Sequence, residues 1–325
     1  MEFIQKYNEA VEQYILQTLP VGQPASLYEP IAYLMSLGGK RIRPALVLLG
    51  CDLFHGKWED ALPAAYAMEV FHNFTLMHDD IMDNASLRRG KATVHEKYDN
   101  NTAILSGDAM LIHSYEMLTS YPAHLISPLL KSFNTMALQL CEGQRMDMDF
   151  ETREDVSIVD YLKMIEYKTS VLLACALKTG AMIAGANMQD QDHLYAFGIN
   201  SGIAFQIQDD LLDAFGDAEK VGKQPGGDII QGKKTYLYLK ALELADENQK
   251  STLLAYYQPD SGHDQYEKIE TVKKIFRDTG AQEYALQVRD AYNDLAKSHV
   301  ISLPVSEQQK DELIQFADFM AARKM

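Results

Sequence analysis

Apolar residues recur three and four positions apart along nearly the whole chain. Phe3, Ile4, Tyr7, Val11, Tyr14, Ile15 and Leu19 keep helical spacing until Pro20 stops them. A linker with Gly22 and Pro24 leads to a second segment at about 27–37 and an apolar one at 45–54. Pro63 opens a longer segment that reaches Asp83 without Gly or Pro. Helical patterns follow at about 101–120, 125–146, 158–186 and 190–215, and amphipathic segments continue to Phe319-Met320. No stretch alternates as a strand would. The pattern predicts an all-α protein, and 325 residues could hold one large domain or two ordinary ones.

Two stretches break this pattern with acid. The apolar run Phe71 to Met77 ends in His78-Asp79-Asp80-Ile81-Met82-Asp83, and Ile203 to Ile207 leads into Gln208-Asp209-Asp210-Leu211-Leu212-Asp213. Both carry Asp-Asp-x-x-Asp. On a helix, residues i and i+4 share a face, so Asp79 pairs with Asp83 and Asp209 with Asp213. Stacked carboxylates repel unless a cation sits between them. Mg²⁺ is usually held by one or two carboxylates together with substrate phosphates. With 46 acidic and 30 basic residues, solvated acidic faces are common in such a chain. A solvated face does not normally end an apolar run, and here the same spacing does so twice.

Cations cluster where a diphosphate would need them. Gly38-Gly39-Lys40-Arg41-Ile42-Arg43-Pro44 sits at a helix entrance, which suits a helix-end cap or an anion site. Asn84 to Lys91 is a basic loop directly after the first acidic motif, and its Arg88 and Arg89 suit phosphate oxygens. Lys168-Thr169 interrupts an apolar segment, where a lysine commonly snorkels. Val221 to Asp228 and Gly232 to Thr235 are rich in Gly and Lys, in the manner of a lid over phosphate.

The net charge of −16 argues against nucleic acid or an anionic membrane as the main partner. Cys51, Cys141 and Cys175 lie far apart, so neither zinc nor a disulfide framework is indicated. The polar start is unlike a signal peptide, and no apolar run approaches the roughly 18–20 residues of a spanning helix. A soluble cytoplasmic protein is expected. Gly227-x-x-x-x-Gly232-Lys233-Lys234 fails as a P-loop because Lys234 stands where Ser or Thr is needed. Glu69-x-x-His72 has di-iron spacing but occurs only once.

Taken in order, the glycine-cation turn at 38–44, both acidic motifs, Arg88-Arg89-Gly90, Gly143-Gln144, Lys168-Thr169, Phe205-Gln206 and Gly222-Lys223 resemble the trans-isoprenyl diphosphate synthases over about residues 20–300. The resemblance implies a single all-α domain over residues 1–325 around a central cavity, a homodimer, and Mg²⁺-dependent head-to-tail condensation with two or three ions per site. By that likeness Asp79, Asp83 and Asp209 would ligand the metals, with Asp80, Asp210 and Asp213 as further ligands or behind them. Arg88, Lys168 and Lys223 would grip an allylic diphosphate. Lys40, Arg43, His72 and Arg89 would hold isopentenyl diphosphate, with Lys233 as an added phosphate contact. Thr169 and Gln206 would cradle the allylic carbocation.

In this family the residues four, five and eight positions before the first motif face the growing chain. Here they are Thr75, Phe74 and Phe71, which predicts farnesyl or geranylgeranyl diphosphate as product. Two departures stand out. Common bacterial farnesyl enzymes have four residues between the first motif's aspartates instead of two, and Leu237 stands where many relatives have Pro. A terpene cyclase would need no second diphosphate site, and a silent partner subunit would tend to lose an acidic motif. Both motifs are intact, so neither alternative matches as well.

Overall fold

The computed structural model describes residues 2–216, 226–258 and 264–322. Helices α1 (Glu2–Thr18), α2 (Ala25–Ser36) and α3 (Ile42–Leu53) precede a single 3₁₀ turn and α4 (Leu62–Met82). Pro63 falls in the first turn of α4, where its missing N–H costs nothing. After α4 come α5 (Val94–Lys97), α6 (Asn100–Thr119), α7 (Ala123–Thr152), α8 (Ile158–Ile165), α9 (Val171–Ile183) and α10 (Met188–Phe215). The remainder is α11 (Gly227–Gln231), α12 (Tyr236–Leu244), α13 (Glu247–Tyr256), α14 (Gln265–Asp278), α15 (Ala281–Ile301) and α16 (Glu307–Ala321). The all-α expectation holds. Several starts are set by side chains: Ser157 with Asp160, Asp246 with Gln249 and Ser306 with Gln309 form reciprocal capping boxes.

Three local features depart from the predicted pattern. The loop after the first acidic motif holds a two-residue antiparallel ladder, Leu87 opposite Ala92 and Arg88 opposite Lys91. It is too short for alternation to register. The segment predicted as one helix over 158–186 instead contains a π-helical turn at Glu166–Ser170. Part of the expected lid is the short helix α11.

The chain divides into two compact units, 1–134 with 175–192 and 135–174 with 193–325. In the first, Tyr7, Ile31, Leu46, Tyr66, Phe71 and Phe133 are wholly buried. The second has its own apolar core, which includes Tyr161, Ile207, Leu237, Leu253 and Phe276. No helix among the described residues is long and apolar enough to cross a membrane.

Candidate active site

In the first unit, α4 delivers the first acidic motif. Asp80 is 1% exposed and faces Arg88, whose Nε lies 3.0 and 3.2 Å from the two carboxylate oxygens and whose Nη2 lies 2.5 Å from Oδ1. Asp79 is half-buried and Asp83, at the helix C-terminus, is exposed. The middle carboxylate is thus engaged inward, and the outer two stand one turn apart toward solvent. Arg88 sits on the short hairpin, which is pinned by Thr93 Oγ1 donating to the Ala85 carbonyl at 2.7 Å. Tyr33 Oη also donates to the Ala92 carbonyl at 2.7 Å.

A cationic cluster lies on the same unit. Arg43 Nη1 is 3.2 Å from His72 Nε2, and Arg43 Nε is buried without a hydrogen-bond partner. The Arg89 guanidinium covers Gly39, where an added Cβ would fall 3.0 Å from Nη2; Gly39 also has a φ of +149° that favours glycine. Burial, then the charges of Arg43 and Arg89, hold His72 well below its ordinary 6.5, so the imidazole is neutral. Cations brought this close, with an orphaned N–H among them, fit an anionic ligand. Lys40 is exposed on the adjoining turn.

Arg41 has a different task. It reaches Glu12 at 2.6 Å, Glu69 at 2.5 Å and the Met35 carbonyl at 2.9 Å. Glu69 also accepts from Asn73 at 2.9 Å, so this carboxylate is a structural ion-pair partner.

Phe71, Phe74 and Thr75 do not share one environment. Phe71 is 1% exposed and packs on Phe133, with ring centroids 4.9 Å apart. Thr75 is buried and its hydroxyl donates to the His72 carbonyl at 2.8 Å. Phe74 is half-buried and so presents part of its ring.

In the second unit, α7, the π turn, α10 and the segment 228–235 line a cavity of about 170 Å³. Helices approach closely here because side chains are missing. A Cβ on Gly143 would lie 2.4 Å from the Lys168 backbone nitrogen, and one on Gly202 would lie 2.6 Å from Ser170 Oγ. The π turn adds a residue to the helical register, a device frequent at functional sites. Lys168 and Thr169 both line the cavity, as does Gln206 one turn beyond Gly202. Lys168 Nζ meets Asp147 Oδ2 at 2.5 Å, and Thr169 Oγ1 lies 3.3 Å from Gln206 Oε1.

The second acidic motif is supported differently from the first. Asp210 is buried and accepts from the Tyr161 hydroxyl, with Gln206 Nε2 at 3.4 Å. Burial, and then the nearby charge of Asp228, push its carboxyl well above the usual carboxylate range. The same two causes push Asp213 up. Asp228 donates its backbone N–H to Asp213 Oδ2 at 2.9 Å, and its carboxylate lies 3.5 Å from Lys233 Nζ. Asp209 is half-buried. Lys223 lies outside the described residues.

Crowded carboxylates with raised affinity for protons are a donor set that suits a hard divalent cation. Among the described residues no three metal-ligating side chains converge into a ready cage. Sequence alone assigns no role to Asp147, Tyr161 or Asp228. Asp147 stands four residues after Gly143, hence on its face of α7, and that spacing is the one available signal. A lone Tyr161 in an apolar helix offers none.

A polyprenyl synthetase family profile matches residues 24–278. The chain is 36% identical to the geranylgeranyl diphosphate synthase of Methanosarcina mazei, covering 99% of this chain and 97% of that one. A crystal structure of a geranylgeranyl pyrophosphate synthase superposes with a TM-score of 0.94 at 44% identity, covering 99% of both chains. A polyprenyl synthase from Caulobacter crescentus, complexed with calcium and isoprenyl diphosphate, superposes with a TM-score of 0.88 at 25% identity, covering all of this chain and 97% of that one. The chain belongs to the polyprenyl synthetase family and is a prenyltransferase that makes short-chain prenyl diphosphates.

Proposed function

We propose that the protein condenses isopentenyl diphosphate with an allylic diphosphate, head to tail, to give geranylgeranyl or farnesyl diphosphate. The observation that carries this reading is the cavity where Lys168, Thr169, Gln206, Asp210 and Lys233 converge. Lys168 and Lys233, with Arg88 and Lys223, bind the allylic diphosphate. Thr169 and Gln206 turn oxygen atoms toward the allylic carbons, where positive charge develops, and the apolar walls of Met164 and Ile165 exclude water. Arg43, His72, Arg89 and Lys40 hold isopentenyl diphosphate, whose double bond attacks the allylic carbon. The departing diphosphate accepts the proton then lost.

By the family likeness the carboxylates of Asp79, Asp83, Asp209 and Asp213 would hold two or three Mg²⁺ ions, which would supply Lewis acidity toward a diphosphate leaving group. Asp80 and Asp210, each tied to an inward partner, act from behind the ligands. The family profile runs through both compact units, which supports treating 1–325 as one domain. Leu105 and Ile112, 60% and 62% exposed and two turns apart on α6, support a homodimer. The cytoplasm is the compartment that the free thiols favour.

Incubation with radiolabelled isopentenyl diphosphate and dimethylallyl, geranyl or farnesyl diphosphate, with Mg²⁺ or with EDTA, tests this reading. Metal-dependent elongation that stops at geranylgeranyl or farnesyl supports it. A folded protein that elongates no starter would refute it.

A further inference from the structure

One residue of the first motif, His78, takes no part in holding metal or diphosphate. It stands immediately before the aspartates, one turn after Phe74. Its ring lies edge-on to Phe74, with centroids 4.8 Å apart and planes at 67°. Its far edge enters a notch on α6. There Nε2 is 3.2 Å from the Ile104 carbonyl oxygen, a distance at which the Nε2–H tautomer donates. The notch exists because residue 107 is glycine: an added Cβ would fall 2.3 Å from Nε2.

Phe74 is therefore held from both ends. On the side away from the motif it meets Phe71, with centroids 5.6 Å apart, and Phe71 is backed by Phe133, which in turn meets Tyr115 at 5.2 Å. The Phe74–Phe71 contact is tilted, at 52°, and the edge-to-face contacts of His78 with Phe74 and of Phe133 with Phe71 fix orientation as well as filling space. Without His78, the partly exposed Phe74 ring would be free to take another staggered rotamer.

We propose that His78, seated in the notch at Gly107, is a positioning residue that locks the Phe74 ring and thereby sets where chain growth stops. The inference rests on the proposed function and on the family likeness by which Phe74 faces the growing chain. It extends product control to an imidazole beside the metal motif and to a glycine on α6.

The test compares the wild type with His78→Ala, His78→Phe, Gly107→Ala and Phe74→Ala. Each is given isopentenyl diphosphate with dimethylallyl, geranyl or farnesyl diphosphate, and product-length ratios are read instead of rates. His78→Ala should raise the fraction of products beyond the wild-type length by about tenfold, the size of effect a small change in pocket room produces. His78→Phe keeps a ring against Phe74 and should restore the wild-type ratio. Gly107→Ala fills the notch and unseats the imidazole, so it should lengthen the product as His78→Ala does. If Phe74→Ala lengthens the product while His78→Ala and Gly107→Ala leave the ratio unchanged, the lock is refuted. If Phe74→Ala also leaves it unchanged, the floor and the lock fall together. A wild type that elongates nothing defeats the proposed function itself.

Discussion

The two acidic motifs share a spacing but not a construction. In the first, the middle carboxylate of Asp80 is buried against a cation, the forked Arg88 guanidinium. In the second, the middle carboxylate of Asp210 is buried against a phenol, Tyr161, with Asp228 adding negative charge nearby. The first motif carries its own neutralising charge, whereas the second is left with a surplus. Burial, and then the charge of Asp228, raise the carboxyls of Asp210 and Asp213, a state that a cation brought from outside would relieve. Identical sequence signatures can thus differ in the charge they present to a ligand.

Removing the two inward partners should expose the difference. Arg88→Leu strands a buried aspartate and should cost about 3–5 kcal/mol of stability, as breaking one side of a buried ion pair does. Tyr161→Phe removes one hydrogen bond to a carboxylate and should cost about 1–3 kcal/mol. Denaturant unfolding of both variants checks this. Equal losses would break the contrast between the motifs.

Asp147→Asn sharpens the account of the second unit. Lys168 keeps its place in the cavity through a 2.5 Å contact with Asp147. Without that charge the ammonium is misplaced, and kcat/KM for the allylic substrate should fall about tenfold to a hundredfold. The KM for isopentenyl diphosphate should change little. A matched loss for both substrates would mean that Asp147 supports the fold and not the lysine.

The first unit makes the smallest prediction, in its pH dependence. His72 is held neutral, well below 6.5, while in the unfolded chain it titrates near that value. As the pH falls through about 6.5, the unfolded state gains a proton that the folded state refuses, so stability is present above this range and declines below it. Each tenfold difference in proton affinity between the two states is worth about 1.4 kcal/mol. Thermal unfolding at about pH 7.5 and pH 5.5 should show the decline, and His72→Gln should flatten it. An unchanged slope would show that neither burial nor the arginines hold this imidazole neutral.

Much of this organisation is legible in the sequence. Helical periodicity persists over long runs, so the pattern predicts α4 from Pro63 to the aspartates, and the helix lies at Leu62–Met82. The repeated aspartate spacing marks both motifs for the same reason: it is local. The π turn, the short hairpin and α11 are not legible, because each is too brief to impose a period. Nor can spacing separate Asp79 from Asp80 or Asp209 from Asp210. Which carboxylate turns inward is decided by Arg88 and Tyr161, residues that acquire meaning only when the chain is folded. Phe71 and Phe74 read alike, yet burial leaves only Phe74 with exposed ring surface.

The claim that both motifs hold metal despite their different construction is tested most directly by calorimetric titration. Mg²⁺ would be titrated into the wild type, Asp79→Asn and Asp209→Asn in the presence of inorganic diphosphate. Each substitution should lower the number of ions bound, with isopentenyl diphosphate incorporation falling about a hundredfold or more. Wild-type stoichiometry retained in either variant would contradict the claim for that motif.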